Sequence, residues 1–150
     1  MKKREESREN TKKILLVISG MTPQVITETL FALCHEQQWI PDEIHLITTV
    51  EGKDRALLQL VNGRGYLKRF IEDYKIKKQI LFSEKTIHII SDNTGRQLND
   101  LKTPADNNCA ADFITTKIKE FTNIQNTQIH VSLAGGRKTM GFYAGYGLSL

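Results

Sequence analysis

The segment from Ile129 to Gly141, Ile-His-Val-Ser-Leu-Ala-Gly-Gly-Arg-Lys-Thr-Met-Gly, ends an apolar run in a glycine-rich basic loop that opens a helix. Gly135 and Gly136 leave backbone amides accessible, Arg137 and Lys138 add cationic donors, and the helix start adds partial positive charge. Such a junction is suited to holding phosphate. A second junction stands near the N-terminus, where Ile14–Ile18 runs into Ser19-Gly20-Met21-Thr22-Pro23, with Thr22 placed as an N-cap and Pro23 at the first helical position. A plain strand-to-helix turn with solvated charges would also account for Gly135 to Thr139. Consecutive Arg and Lys at a helix start, however, oppose the macrodipole, where acids are preferred by roughly 0.3–1 kcal/mol each. Stability alone does not select that pair, and a bound anion would remove the conflict. Capping alone explains Thr22, so Ser19 and Thr22 become candidates only through their expected proximity to Lys138.

Several familiar chemistries fail on spacing. The P-loop needs Gly-x-x-x-x-Gly-Lys-Ser/Thr, whereas Ser132 takes the early glycine position and Arg137 precedes Lys138. The dinucleotide fingerprint fails because one glycine and a proline follow the first strand. Asp42 and the Glu51/Lys53 pair bracket a single strand, so about nine residues at ~3.3 Å each hold them roughly 30 Å apart, too far to share a metal. Cys34 and Cys109 lack pair or metal-ligand spacing and read as reduced thiols. Of the scattered histidines, His45, His88 and His130 fall inside expected strands, which suits a sheet surface better than a zinc site, and His35 stands apart. No metal and no cofactor is expected.

The elements that must position these loops follow from apolar periodicity. Ile14–Ile18 is a continuous run, the mark of a strand covered on both faces. Pro23–Gln38 reads as a helix with Ile26, Leu30, Leu33 and Cys34 on one stripe, and Glu43–Thr49 as a second strand. A helical segment from about Lys53 to Tyr74 is weakened by Gly63 and Gly65 and reads as one helix or two. Thr86–Ile90 is a third strand ending in the polar loop Ser91-Asp92-Asn93-Thr94-Gly95-Arg96. Thr103 and Pro104 open a helix that buries Ala110, Ile114, Ile118 and Phe121, Gln128–Leu133 is a fourth strand, and Thr139–Leu150 is an uncharged helix.

Alternation of strand and helix predicts an α/β, Rossmann-like parallel sheet with helices on both faces. Ligands of such sheets bind beyond the carboxyl ends of the strands, where the winding reverses. For a strand order 3-2-1-4 that point lies between strands one and four, and the two junctions become neighbours across one crevice. Gly141, Gly145 and Gly147 allow the last helix to pack closely on the sheet or on a second copy of the chain. Leu150 falls inside that helix with no cap, so the domain reads as truncated at its C-terminus.

Length and composition predict one domain at 14–150 behind a charged, flexible tail at 1–13. That tail holds six Lys/Arg against three Glu and so supplies +3 of the net charge of +4. The remaining body is near neutral, which argues against binding long nucleic acid. No apolar run approaches 18 residues and no leader pattern is present, so no membrane association and a cytoplasmic location are expected.

At Leu16–Leu30, with Ile-Ser-Gly-Met-Thr-Pro-Gln-Val at its centre, at the strand after Pro41, and at His130–Tyr146 with Ser-Leu-Ala-Gly-Gly-Arg-Lys-Thr-Met, the chain resembles the CRISPR-associated ring nucleases. These are CARF-domain proteins that bind and degrade cyclic oligoadenylate. The resemblance implies a CARF-type homodimer whose paired crevices form one basin for the cyclic RNA messenger. It implies metal-independent cleavage in which a ribose 2′-hydroxyl attacks its adjacent phosphate. Lys138 would meet developing charge and Ser19 would orient the phosphate or the 2′-hydroxyl. Gly20, Thr22, Gly135, Gly136, Arg137 and Thr139 would bind phosphate, and Asp92, Asn93 and Thr94 would meet sugar and adenine edges. No histidine is placed as a general base, so a modest rate is expected. The alternative is a sensor that holds the ring without cutting it and controls a downstream effector. A small-molecule Rossmann enzyme is a third reading.

Overall fold

The computed structural model describes residues 11–20, 24–62 and 65–132. Four strands, β1 (Lys12–Ile18), β2 (Glu43–Thr48), β3 (Ile87–Ile89) and β4 (Thr127–Ser132), form one parallel sheet in the order β3-β2-β1-β4. The α/β arrangement is therefore the expected Rossmann-like one. β1 lies between β2 and β4, pairing Ile18 with Ile47 on one side and Val17 with Ser132 on the other.

Side-chain alternation divides the core. Leu15, Val17, Ile44 and Leu46 face a layer made by α1 (Gln24–Glu36), α2 (Val50–Ala56) and α3 (Tyr66–Asp73), while Ile14, Leu16, Ile18 and Ile47 face α4 (Pro104–Thr122). Because both faces are covered, all five residues from Ile14 to Ile18 are at most 1% exposed, which is why β1 appears as an unbroken apolar run. Each such side chain contributes roughly 1.5–3 kcal/mol relative to an exposed one.

α4 forms where its caps and stripe predict. Thr103 Oγ1 accepts from the Asp106 amide at 3.1 Å and Asp106 Oδ2 accepts from the Thr103 amide at 3.1 Å, a reciprocal box worth about 1 kcal/mol. Ala110, Ile114, Ile118 and Phe121 are its buried residues, as expected.

Several boundaries differ from the sequence reading. β1 begins at Lys12, because Lys12 and Lys13 pair with Thr127 and Gln128 of β4. The expected segment from Lys53 to Tyr74 divides into α2, a π-helical turn at Leu57–Val61, and α3. It starts earlier than expected because Thr49 ends β2 as an N-cap, accepting from the Gly52 amide at 3.3 Å. β3 is shorter than expected, since Thr86 is consumed in a capping box with Ser83. Cys34 lies beside the α1 stripe, half-buried, where burial pushes its thiol pKa up. The helix expected at Thr139–Leu150 lies outside the described residues.

Among the described residues, no helix is long and apolar enough to cross a membrane.

Candidate functional site at the carboxyl edge

The sequence of β1 turns polar where the strand leaves the core. Ser19 follows Ile18 directly, is 1% exposed, and donates its amide to the Ile47 carbonyl at 3.2 Å. Thr48, at the end of the neighbouring strand, is fully buried and donates its hydroxyl to the Gly20 carbonyl at 3.2 Å. Ser132 ends β4 opposite Val17, with its hydroxyl 3.3 Å from that of Thr29 on α1. Ser19, Thr48, Thr49 and Ser132 thus gather buried hydroxyl-bearing residues from three strand ends on one edge.

α2 approaches this edge closely because residue 52 has no side chain. A Cβ at Gly52 would collide with Thr48 Oγ1 and lie 2.6 Å from the Gly20 carbonyl oxygen. The glycine therefore lets α2 seat directly against the β1–α1 junction.

The third candidate segment follows β3. Ile90 donates to the Thr48 carbonyl at 2.8 Å, Leu98 to the Ile90 carbonyl at 2.9 Å, and Val50 to the Leu98 carbonyl at 2.9 Å, so the loop between Ile90 and Leu98 is stitched to the end of β2. Its tip is a turn organised by Asp92. One carboxylate oxygen accepts from the Thr94 amide at 2.9 Å, the Thr94 hydroxyl at 2.7 Å and the Arg96 amide at 3.0 Å, and Gly95 takes a positive φ of 84° that favours glycine. The Thr94 hydroxyl bond, with the two amide bonds, holds the Asp92 carboxyl below its ordinary pKa. Asn93 and Thr94 are exposed at the tip.

Because the folded-state pKa of Asp92 is depressed, its contribution is present above the ordinary carboxylate range and is lost as pH falls through the lowered value. Asp92→Asn is therefore expected to speed amide exchange at Thr94 and Arg96 by roughly tenfold at neutral pH while leaving β1 amides unchanged. Unaltered exchange at both positions would show that the turn holds without the carboxylate.

Two strand spacings separate β3 from β1, about 10 Å at the usual inter-strand distance. The described loops thus line one edge on both sides of β2. Of the sequence candidates, Ser19, Gly20, Asp92, Asn93 and Thr94 are on this edge. Thr22, Gly135, Gly136, Arg137, Lys138 and Thr139 lie outside the described residues. The strand order is the one that makes the ends of β1 and β4 neighbours, and Ser132 is the described residue from which the chain proceeds toward Gly135.

A polar cluster that sequence reasoning missed lies away from this edge, on the face covered by α4. His45 Nδ1 and His88 Nε2 are 2.9 Å apart, and His45 Nε2 is 3.0 Å from Glu43 Oε2. The rings are stacked, with Phe121 edge-on to His45 at 4.7 Å. Burial lowers both histidine pKa values, that of His88 to about 4, with the neighbouring His45 adding to the effect there. The Glu43-x-His45 spacing puts two side chains on one strand face, but nothing local in the sequence announces their partner on β3. His130 instead packs near Trp39, at 5.9 Å between ring centres. Asp42 and Lys53 are engaged separately, with Lys78 at 3.0 Å and Glu84 at 2.8 Å. Among the described residues, no group of three or more His, Cys, Asp or Glu side chains could hold a metal ion.

The fold and this edge define a parallel α/β protein of the Rossmann-like class, with its polar loops collected at the carboxyl ends of the strands. The chain belongs to the family described as CRISPR-associated protein NE0113 (Cas_NE0113), whose model matches residues 22–150. Comparison with curated proteins gave no match.

Proposed function

We propose that this chain binds cyclic oligoadenylate at the carboxyl edge and cleaves it without a metal, lowering the concentration of a messenger in CRISPR-associated defence. The observation that carries this reading is the strand order, which makes the Ser19–Gly20 junction a neighbour of the strand leading to Gly135–Thr139. Membership of a CRISPR-associated family supports it. In the proposed reaction a ribose 2′-oxygen attacks the adjacent phosphorus in line and loses its proton. The bond from phosphorus to the 5′-oxygen breaks and that oxygen takes up one proton, matching the one lost, which leaves a 2′,3′-cyclic phosphate and a 5′-hydroxyl. The protein positions the groups and stabilises charge. Lys138 faces the developing charge and Ser19 orients the reacting phosphate. Arg137, Thr22, Thr139 and the backbone of Gly20, Gly135 and Gly136 bind phosphate, while Asp92, Asn93 and Thr94 shape the surface toward the sugars and bases.

A ring repeats its chemistry around its circumference and exceeds one strand-loop pocket, so the binding form in this proposal is a two-fold dimer. The burial of Ser19 favours a second reading, in which the domain senses the ring without cutting it. Incubating the purified chain with cyclic tetra- and hexa-adenylate in EDTA and resolving products by chromatography separates the two. Linear products ending in 2′,3′-cyclic phosphate are expected, together with a dimer by light scattering at micromolar concentration. Tight binding without products would establish the sensor, and neither binding nor products would remove the reading.

A further inference from the structure

The Glu43–His45–His88 chain joins β2 to β3, the outer strand of the described sheet and only three residues long. Its hydrogen bonds have a direction. Glu43 can only accept when ionised, so His45 Nε2 carries a proton. In a neutral His45 ring, Nδ1 is then an acceptor, and the 2.9 Å contact requires His88 Nε2 to be the donor. Both neutral rings thus carry hydrogen on Nε2.

From this geometry we propose that the histidine pair is a proton-operated latch that fixes β3, and with it the Asp92–Thr94 loop, to the edge of the sheet. The latch adds regulation to the proposed ligand edge, and its functional meaning rests on that reading. A first proton can be accommodated: His45 becomes a double donor, His88 shifts its hydrogen to Nδ1, and the contact survives with Glu43 balancing the charge. A second proton cannot. Two imidazolium rings would then face each other with donors on both sides of the 2.9 Å gap, the hydrogen bond would be lost, and like charges would repel.

The surrounding groups reinforce this limit. From β1, Lys12 pairs with Glu43 at 2.7 Å; from α4, Lys117 pairs with Glu120 at 3.2 Å, and both α4 charges act on His88. Phe121 packs T-shaped against both histidines, at 4.7 and 5.8 Å between centres, and brings no carboxylate to the pair. Among the described residues, Glu43 is the carboxylate in contact with the pair, and it can offset a single positive charge. The strand it holds leads directly to Ile90, whose amide and carbonyl bind Thr48 and Leu98, so release would travel into the loop through those bonds.

The direction with pH follows. Both histidines have folded-state pKa values below the ordinary histidine value, so the latch is complete above about pH 6.5 and weakens as pH falls toward the lowered values. The pair titrates as a unit in two steps, not as two independent rings.

Nitrogen-15 spectra of the full chain at neutral pH test the tautomers, with hydrogen on Nε2 of both rings expected. Titration is expected to show two separated steps, the later one well below the ordinary histidine range. Protection factors of the Val50, Ile90 and Leu98 amides should fall at least roughly tenfold between pH 6.5 and 4 while those in β1 hold. His88→Gln keeps a donor without a titrating ring and is expected to abolish that fall. Single-step titration of both rings near 6.5, or the same loss of protection in His88→Gln, would overturn the latch; if that variant does not fold, the wild-type spectra decide alone. None of these measurements uses a nucleotide, so absence of ring cleavage and absence of the latch are separate results.

Discussion

Lys138→Ala is expected to lower single-turnover cleavage of cyclic oligoadenylate by roughly 10²–10³-fold, the range seen on losing one donor to a developing oxyanion. Binding should fall less, because Arg137 and the backbone amides of Gly135 and Gly136 still meet phosphate. This split is the informative part. A residue that only bound the ring would weaken ground state and transition state together, raising the concentration needed for half-saturation without changing the rate of bound ring. The deficit should be equal in EDTA and in magnesium, since the proposed reaction has no metal to compensate. Undiminished cleavage by the variant would move the chemistry away from Lys138, and wild-type binding with no cleavage would make this edge a sensor.

The second large effect is expected at Gly52, where two opposing terms can be weighed. Replacing a helical glycine by alanine ordinarily gains up to about 1 kcal/mol in helix propensity. Here the new Cβ collides with the hydroxyl of buried Thr48 and sits 2.6 Å from a backbone oxygen of Gly20. Overpacking of this kind costs about 1–3 kcal/mol, and residue 52 lies in the first turn of α2, where the propensity gain is least. The net sign is therefore destabilising. Gly52→Ala should lower the melting temperature by several degrees, at roughly 2–4 °C per kcal/mol for a chain of this size. It should also weaken ring binding, because relief of the clash displaces Thr48 or the Gly20 carbonyl. Gly20→Ala is the steric control for the melting temperature alone, since no described atom lies within 4 Å of the added Cβ. A melting temperature for Gly52→Ala equal to or above the wild type would show that α2 can shift without cost.

Both predictions concern one edge, yet its parts were legible to different degrees. Local signals carried α4: Thr103, Pro104 and an apolar stripe ending at Phe121 lie within about five turns of one another, so capping and burial can be seen without knowing the fold. The run Ile14–Ile18 likewise announced a strand covered on both faces, while Gly63 and Gly65 left the long segment open as one helix or two, and the fold divides it. The end of β2 was less legible. Thr49 suits a strand by its β-branched side chain, and its use as an N-cap depends on the Gly52 amide folding back onto it.

The amino-acid sequence by itself determined the α/β class, the alternation of elements and the polar character of the strand ends, because periodicity, caps and turn residues act over a few neighbouring positions. Tertiary structure decided what crosses between strands. The order β3-β2-β1-β4 selected from the possible windings the one that makes the ends of β1 and β4 neighbours. It also brought His45 to His88 across 43 residues, and Gly52 against Thr48 and Gly20. Such contacts depend on register and on the direction of each crossover. A one-residue slip of β2 would turn His45 to the other face of the sheet and leave the sequence pattern of every element unchanged.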